Sequence, residues 1–347
     1  MYIIVNIVSE SPHTSIFFVG MEKLKKQGLC QVEYQKVEEG KYPTPHMVEC
    51  IVDGKKVAFD YLDGYNFKNM ADASKYIESC DLYFKRSFSN EKNDVLFPMC
   101  KNKIRSLGFN FYVTCINNPI DWRYTSKGIL QAIRLKRRME CSIDKFEQRA
   151  NRKKKNIKIL FLTRLYKGED LLNKMRAEII LKLKDKYPNN FIGGLYPDEF
   201  SKEQYPDLVV DSDICEKQNY MRIMKKSDIC IATTGLHESI GWKMGEYVAA
   251  ARGIVSEKLN YRVPGNFKEE KNYLVFSNID ECIDAVDRLY TSPSTLYQMK
   301  KIMKNTINGL ADRTNRFGMR YVKRLIINEK GVYKDKFKEN VFVKKQK

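Results

Sequence analysis

Residues 227–265, SDICIATTGLHESIGWKMGEYVAAARGIVSEKLNYRVPG, decide the fold. The apolar run at 229–232 ends in the polar turn Thr233-Thr234-Gly235. Apolar residues then recur at helical spacing from about Ile240 to Ala251, and a second apolar run follows at 253–257. Strand, polar turn, helix and strand in unbroken order make a unit whose two strands run parallel, because a helix must carry the chain back to the same end of the sheet.

Outward from this unit the alternation continues in both directions. IKILFLTRLY at 157–166 reads as a buried strand ending in polar residues, ahead of a helix from about Glu169 to Tyr187. FIGGLY, LVV and a helix near Glu216 to Lys226 lead into the central unit. YLVF and a helix from Ile279 to Tyr290 follow it. Apolar strands alternating with helices at this spacing predict a parallel sheet covered on both faces. In such sheets ligands bind beyond the carboxyl ends of the strands. The site is therefore expected to draw on Thr163 to Lys167, Thr233 to Glu238 and Ser256 to Gly265.

The first half reads as an irregular α/β unit. Tyr2 to Val8 is a strand, Ser9 to Thr14 a loop, and the helix that follows stops at Gly28. Residues 47 to 61 hold two short strands around Asp53-Gly54, a dipeptide suited to the type I′ hairpin turn because both positions tolerate positive φ. Asp63-Gly64 opens a loop, Asn69 to Cys80 has helical spacing, and Asp81 to Phe84 is a strand before the basic pair Lys85 and Arg86. A long helix is expected over 126–146. The charged stretch RANRKKKN at 149–156 then breaks the apolar pattern.

A chain of 347 residues is too long for one core of ordinary size and suits two domains. The expected division is a Rossmann-like domain over 1–150, a second over 151–300, and a helix and basic tail over 301–347 returning toward the first. Hydrophobic residues at 43% and aromatics at 12% rule out wholesale disorder despite 30% charge. No apolar run approaches the roughly 18 residues that cross a bilayer, and MYIIVNIVSE lacks a basic stretch ahead of its apolar residues. The nine cysteines form no C-x-x-C pair, which argues for reduced thiols in the cytosol. With three histidines a transition-metal centre is not expected, and metal-independent chemistry is.

The net charge of +19 is concentrated. Eleven Lys/Arg face three acids between Ile133 and Lys158, and nine face three from Val322 to Lys347. Neither segment interleaves its charges with aromatics in the manner of a stacking platform, and no helix-turn-helix, zinc-finger or RNP signature accompanies them. Solvated linker and tail, attraction to an anionic membrane surface or acidic acceptor, and nucleic acid are the readings in that order.

The chemistry concentrates in the central unit. Glu238 lies in the turn and Glu246 eight residues on in the helix, with Lys243 and Gly245 just before it. Polar turn residues ahead of a helix leave backbone N–H groups unpaired, and with the helix dipole these suit a phosphate. Lys243 adds a point charge and Arg164, at the end of the first strand of the same sheet, a planar fork. Glu246, acceptor-only when ionised, suits a pair of ribose hydroxyls.

Residues 157–290 resemble the nucleotide-binding half of GT-B glycosyltransferases. The likeness is to the set with a Glu-x7-Glu motif and to bacterial surface-glycan enzymes that share K-x-G-E-Y-[LV]-A-A, here Lys243, Met244, Gly245, Glu246, Tyr247, Val248, Ala249, Ala250. The resemblance implies an α/β GT-B fold, two Rossmann-like domains facing a central cleft. It implies that Glu246 binds the ribose, Glu238 lies near the donor sugar, and Arg164 holds the diphosphate with Lys243 or Lys167. Thr234, Gly235, His237, Gly245 and Tyr247 complete the implied donor site. The usual E-G-F-G turn stands here as His237, Glu238, Ser239, Ile240, Gly241, and the R-x5-K pair as Arg164 with Lys167 three residues on. Retention or inversion of the anomeric centre stays open.

The first half is expected to bind the acceptor. His13 and Asp63 are the candidate general bases for an inverting transfer, alongside Glu238 on the donor side, and Lys85 and Arg86 the candidate acceptor contacts. The function these readings imply is a metal-independent glycosyltransferase that moves a hexose or related sugar from a nucleotide-diphosphate donor to a hydroxyl of a glycan, glycolipid or protein. Its expected place is the cytoplasm, with peripheral attachment to the inner face of the membrane as a further reading. Two alternatives stand beside it: a non-catalytic basic protein binding nucleic acid or anionic membrane, and a sugar-nucleotide epimerase on the same frame.

Overall fold

The computed structural model describes residues 1–115, 117–120, 142–147, 156–265 and 267–303. The chain forms two α/β halves, each built on its own sheet, facing one another across a cleft. This is the two-domain architecture the sequence implies. Most of the helix expected over 126–146, the basic stretch at 149–156 except its last residue, and all but the start of the tail expected over 301–347 lie outside the described residues.

Six strands build the first sheet: β1 (Tyr2–Ile7), β2 (Gln31–Lys36), β3 (Met47–Val52), β4 (Lys55–Asp60), β5 (Leu82–Lys85) and β6 (Ile104–Ser106). Their order is β2-β1-β3-β4-β5-β6. The sheet is mixed, since β3 runs antiparallel to both β1 and β4. The expected hairpin causes this: Asp53 (φ 46°) and Gly54 (φ 82°) both take positive φ and fold β3 directly back on β4. The helix Ser15–Lys26 turns Phe18, Met21 and Leu24 onto one face of the sheet, and the helix Met70–Ser79, capped by the Asn69 side chain, turns Ala73 and Ile77 onto the other.

The second sheet holds β7 (Ile159–Thr163), β8 (Phe191–Leu195), β9 (Ile229–Ala232), β10 (Gly253–Glu257) and β11 (Leu274–Phe276), all parallel. Both faces of β7 and β9 are buried, as their unbroken apolar runs require. The expected LVV strand is reduced to one bridge, Leu195 to Val209, because the preceding Pro206–Leu208 forms a 3-10 turn. Helices Asp170–Lys186 and Ile279–Thr291 cover one face; Lys217–Lys226 and Trp242–Ala249 cover the other.

The strand order β8-β7-β9-β10-β11 places the chain's reversal of direction between β7 and β9. These two strands pair only at Ile159–Ile229 and Leu160–Cys230, whereas β7 and β8 stay paired over five residues. Beyond Leu160 the neighbours separate. A crevice opens at their carboxyl ends, where a sheet of this topology receives its ligand.

Candidate functional site

A cavity of about 540 Å³ fills this crevice and extends to the facing half. Its floor is the splayed ends of β7 and β9 and the turn Thr233-Thr234-Gly235. Arg176, on the helix Asp170–Lys186, braces that floor from beneath. Its guanidinium donates to the Arg164 carbonyl at 2.6 Å, the Thr234 carbonyl at 2.9 Å and the Thr233 hydroxyl at 3.0 Å. Glu257, ending β10, accepts from the Thr234 amide at 2.7 Å and its hydroxyl at 3.1 Å. Three strand ends are thereby locked together by a buried cation and a carboxylate. Glu257 falls within the stretch Ser256 to Gly265 expected to supply the site; sequence reading missed Arg176, which sits among the charges of an amphipathic helix, where nothing in a 3.6-residue pattern distinguishes a charge that points at a loop from one in water.

The helix Trp242–Ala249 starts at the cavity wall, and no side chain among the described residues caps its N-terminus. Gly241, Trp242 and Lys243 line the cavity there. Unpaired N–H groups and the positive end of the helix dipole therefore meet the cavity together. The Lys243 ammonium lies 3.8 Å from the Tyr220 ring centroid. Burial lowers its pKa to about 8, against the attraction of Glu246 and with help from the Lys217 charge. Across the crevice Arg164, stacked 3.9 Å over the Tyr196 ring, also lines the cavity. It has no carboxylate partner among the described residues. Two cations and a helix N-terminus converge on one space, which suits an anion with more than one charge.

Glu246 lies at the back of that space and is 4% exposed. Lys217 donates to one carboxylate oxygen and the Tyr220 hydroxyl to the other, each at 2.7 Å. Burial pushes the carboxyl pKa upward, but Lys217, Lys243 and the two hydrogen bonds outweigh it and hold the group below the ordinary 4.5. An ionised carboxylate so held keeps acceptor capacity for neutral hydroxyl donors.

The opposite wall comes from the first half. His13, Asp63 and Arg86 line it. Arg86 is buried; it donates to Asp63 at 2.5 Å and to the Ile240 carbonyl, so it ties the two halves at the cavity mouth. His13 packs against His46, 4.8 Å between ring centroids, and edge-on to Trp242 at 5.0 Å. Its Nδ1 is buried without a partner among the described residues. Burial first and Arg86 second lower its pKa to about 4, so the ring is neutral near pH 7.

Arg164, Thr234, Gly235, Lys243 and Glu246 thus meet in one cavity with His13, Asp63 and Arg86. Other residues singled out in the sequence lie elsewhere. Lys85 is fully buried in the first half, bonded to Asp60 at 2.9 Å. Lys167 is exposed beside Phe200. Tyr247 is buried in the core beneath the second sheet. A Cβ on Gly245 would lie 2.7 Å from Phe111, so this glycine admits the crossing segment 109–111. Glu238 is 60% exposed and faces Lys92 of the first half at 3.4 Å. It and His237 both take left-handed backbone conformations, φ 59° and 55°, and His237 approaches Asn66 and Gly64. The stretch that carries Glu238 therefore serves as a contact between the halves.

No protein-family model matches the chain, and no curated protein matches it. Among solved structures it is similar to a glycosyltransferase from Rickettsia africae, with 14% identity, TM-score 0.47, and coverage of 92% of this chain and 83% of that one. It is similar to a putative UDP-N-acetylglucosamine 2-epimerase from Listeria monocytogenes, with 8% identity, TM-score 0.43, and coverage of 91% and 96%. The C-terminal domain of a group 1 family glycosyl transferase from Francisella tularensis aligns with 48% of this chain and 96% of its own length, at 17% identity and TM-score 0.34.

Proposed function

We propose that the chain is a glycosyltransferase that binds a nucleotide-diphosphate sugar in this cavity and transfers the sugar to a hydroxyl group without a metal ion. The observation that carries the reading is the convergence of Arg164, Lys243 and the uncapped start of the helix Trp242–Ala249 on a crevice backed by the ionised Glu246. In this reading Arg164, Lys243 and the helix N–H groups hold the diphosphate, and Glu246 accepts from the ribose hydroxyls. As the glycosidic bond breaks, negative charge grows on the leaving diphosphate, and fixed cations stabilise it more in the transition state than in the ground state. His13, neutral and facing the cavity from the other half, takes the proton of the attacking hydroxyl, and the Asp63 carboxylate beside it favours the imidazolium that forms.

The test is release of nucleoside diphosphate from UDP-, GDP- and dTDP-sugars in the presence of EDTA, with and without an added glycan acceptor. Acceptor-dependent release, lost in Arg164→Ala, is expected. Conversion of the donor sugar to an isomer without acceptor would assign the cavity to an epimerase, and no turnover of any donor would set the reading aside.

A further inference from the structure

A second cavity, of about 630 Å³, lies in the first half alone. Tyr42, Pro43 and Pro45 form one side, and Lys68, Lys75 and Tyr76 the other. The two tyrosines, 5.6 Å apart, are fixed in place because both hydroxyls donate to the buried Glu49, at 3.3 and 2.6 Å. Asn6 and Lys56 bind the same carboxylate at 2.6 and 3.1 Å. Desolvation raises the Glu49 pKa, but its hydrogen bonds and Lys56 win and keep it ionised. The rings are thus held in place with their hydroxyls already committed, and the Lys56 ammonium covers one face of Tyr76 at 4.2 Å. Lys68 and Lys75 are exposed, and neither is paired with a carboxylate among the described residues. Asp72 beside them offers an acceptor.

Pro45 and His46 connect this groove to the residues of the cleft. Pro45 lines the groove, and its carbonyl accepts from Ser9 at 2.5 Å. The next residue, His46, lies 2.7 Å from the Ser11 hydroxyl and packs on His13, which faces the cleft. Through residues 45–46 the groove is therefore in packing contact with His13.

We propose that the groove binds the part of the acceptor remote from the reacting hydroxyl, and that this part is a saccharide carrying acid groups. Aromatic and proline surfaces suit the apolar faces of sugar rings, and unpaired ammonium groups suit carboxylates. The proposal rests on the transferase reading. Binding energy from the remote part is then available to orient the hydroxyl at His13.

Calorimetric titration with trigalacturonate, beside neutral maltotriose, tests it. Lys68→Glu/Lys75→Glu and Tyr42→Ala should each weaken trigalacturonate at least tenfold. Lys23→Glu/Lys26→Glu, the same charge change on the exposed side of another helix, should change it less than twofold. Equal loss in the two double variants, maltotriose binding as tightly as trigalacturonate, or no binding of either sugar overturns the proposal. UDP, GDP and dTDP binding, measured on the same proteins, separates the two readings. Sugar binding without nucleotide binding removes the donor assignment alone, and nucleotide binding without sugar binding removes the groove alone.

Discussion

Lys217 and Glu246 form an ion pair of 2.7 Å between neighbouring helices, at the back of the cavity, with the carboxylate nearly enclosed. The pair fixes the charge state of the residue on which the donor assignment turns. Glu246→Gln keeps the shape and removes the charge. It should weaken nucleotide binding at least tenfold, measured by calorimetry, while circular dichroism stays that of wild type. Glu246→Ala should in addition destabilise by about 1–3 kcal/mol, because the buried Tyr220 hydroxyl loses its acceptor.

The same carboxyl predicts an acid-sensitive fold. Its folded-state pKa lies below the ordinary 4.5, so the unfolded chain takes up its proton first as pH falls. The stability it contributes is complete above that value and is lost as pH drops through the folded pKa. Denaturant titrations from pH 6 to 3 should show a steeper loss in wild type than in Glu246→Gln.

Lys243 should move binding and stability in opposite directions in alkali. With its pKa at about 8, the ammonium that meets the anion is lost above that pH, and nucleotide affinity should fall up to tenfold per pH unit. Over the interval from 8 to the ordinary 10.5 the unfolded chain holds the proton that the free protein has released, so stability rises with pH there as the cost of burying the ammonium is relieved. Lys243→Met should abolish both trends.

His13 titrates at about 4, so base-dependent turnover should stay flat from pH 5 to 7.5 and fall along an acid limb near pH 4. His13→Gln should lower kcat by about a hundredfold or more, with the nucleotide dissociation constant unchanged. An acid limb near the ordinary 6.5 would contradict this assignment of the base.

Arg176→Met should weaken nucleotide binding through the floor of the cavity. The substitution leaves two carbonyls and the Thr233 hydroxyl without their donor, at a cost of about 2–4 kcal/mol. Hydrogen exchange should quicken at the turn Thr233-Thr234-Gly235 and spare the first sheet.

The second sheet was legible because its strands are buried on both faces and so read as unbroken apolar runs, with helices between them. The hairpin of the first half was legible from Asp53-Gly54, yet the mixed sheet it produces was not, since pairing with β1 is a long-range choice. Within the site, Arg164, Lys243 and Glu246 follow from position on a parallel sheet. Lys85 and Arg86 show the limit: they are neighbours at a strand end, so one turns into the core and the other into the cleft, and their sequence is the same either way. The place of Glu238 near the donor sugar is what the resemblance to the Glu-x7-Glu set implies. Its orientation depends on two successive left-handed residues, His237 and Glu238 itself, a conformation that side chains of this kind do not announce.

The account turns on whether the cavity is a nucleotide-diphosphate site. Thermal unfolding of the protein with UDP, GDP, dTDP and CMP, each with EDTA and beside Glu246→Gln, measures this most directly. A ligand at a hundred times its dissociation constant stabilises by about 2.7 kcal/mol, an easily resolved shift. The account predicts that one nucleoside diphosphate raises the unfolding temperature of wild type and shifts the variant by about half as much or less. Equal shifts in both proteins, or none in wild type with any of the nucleotides, would contradict it.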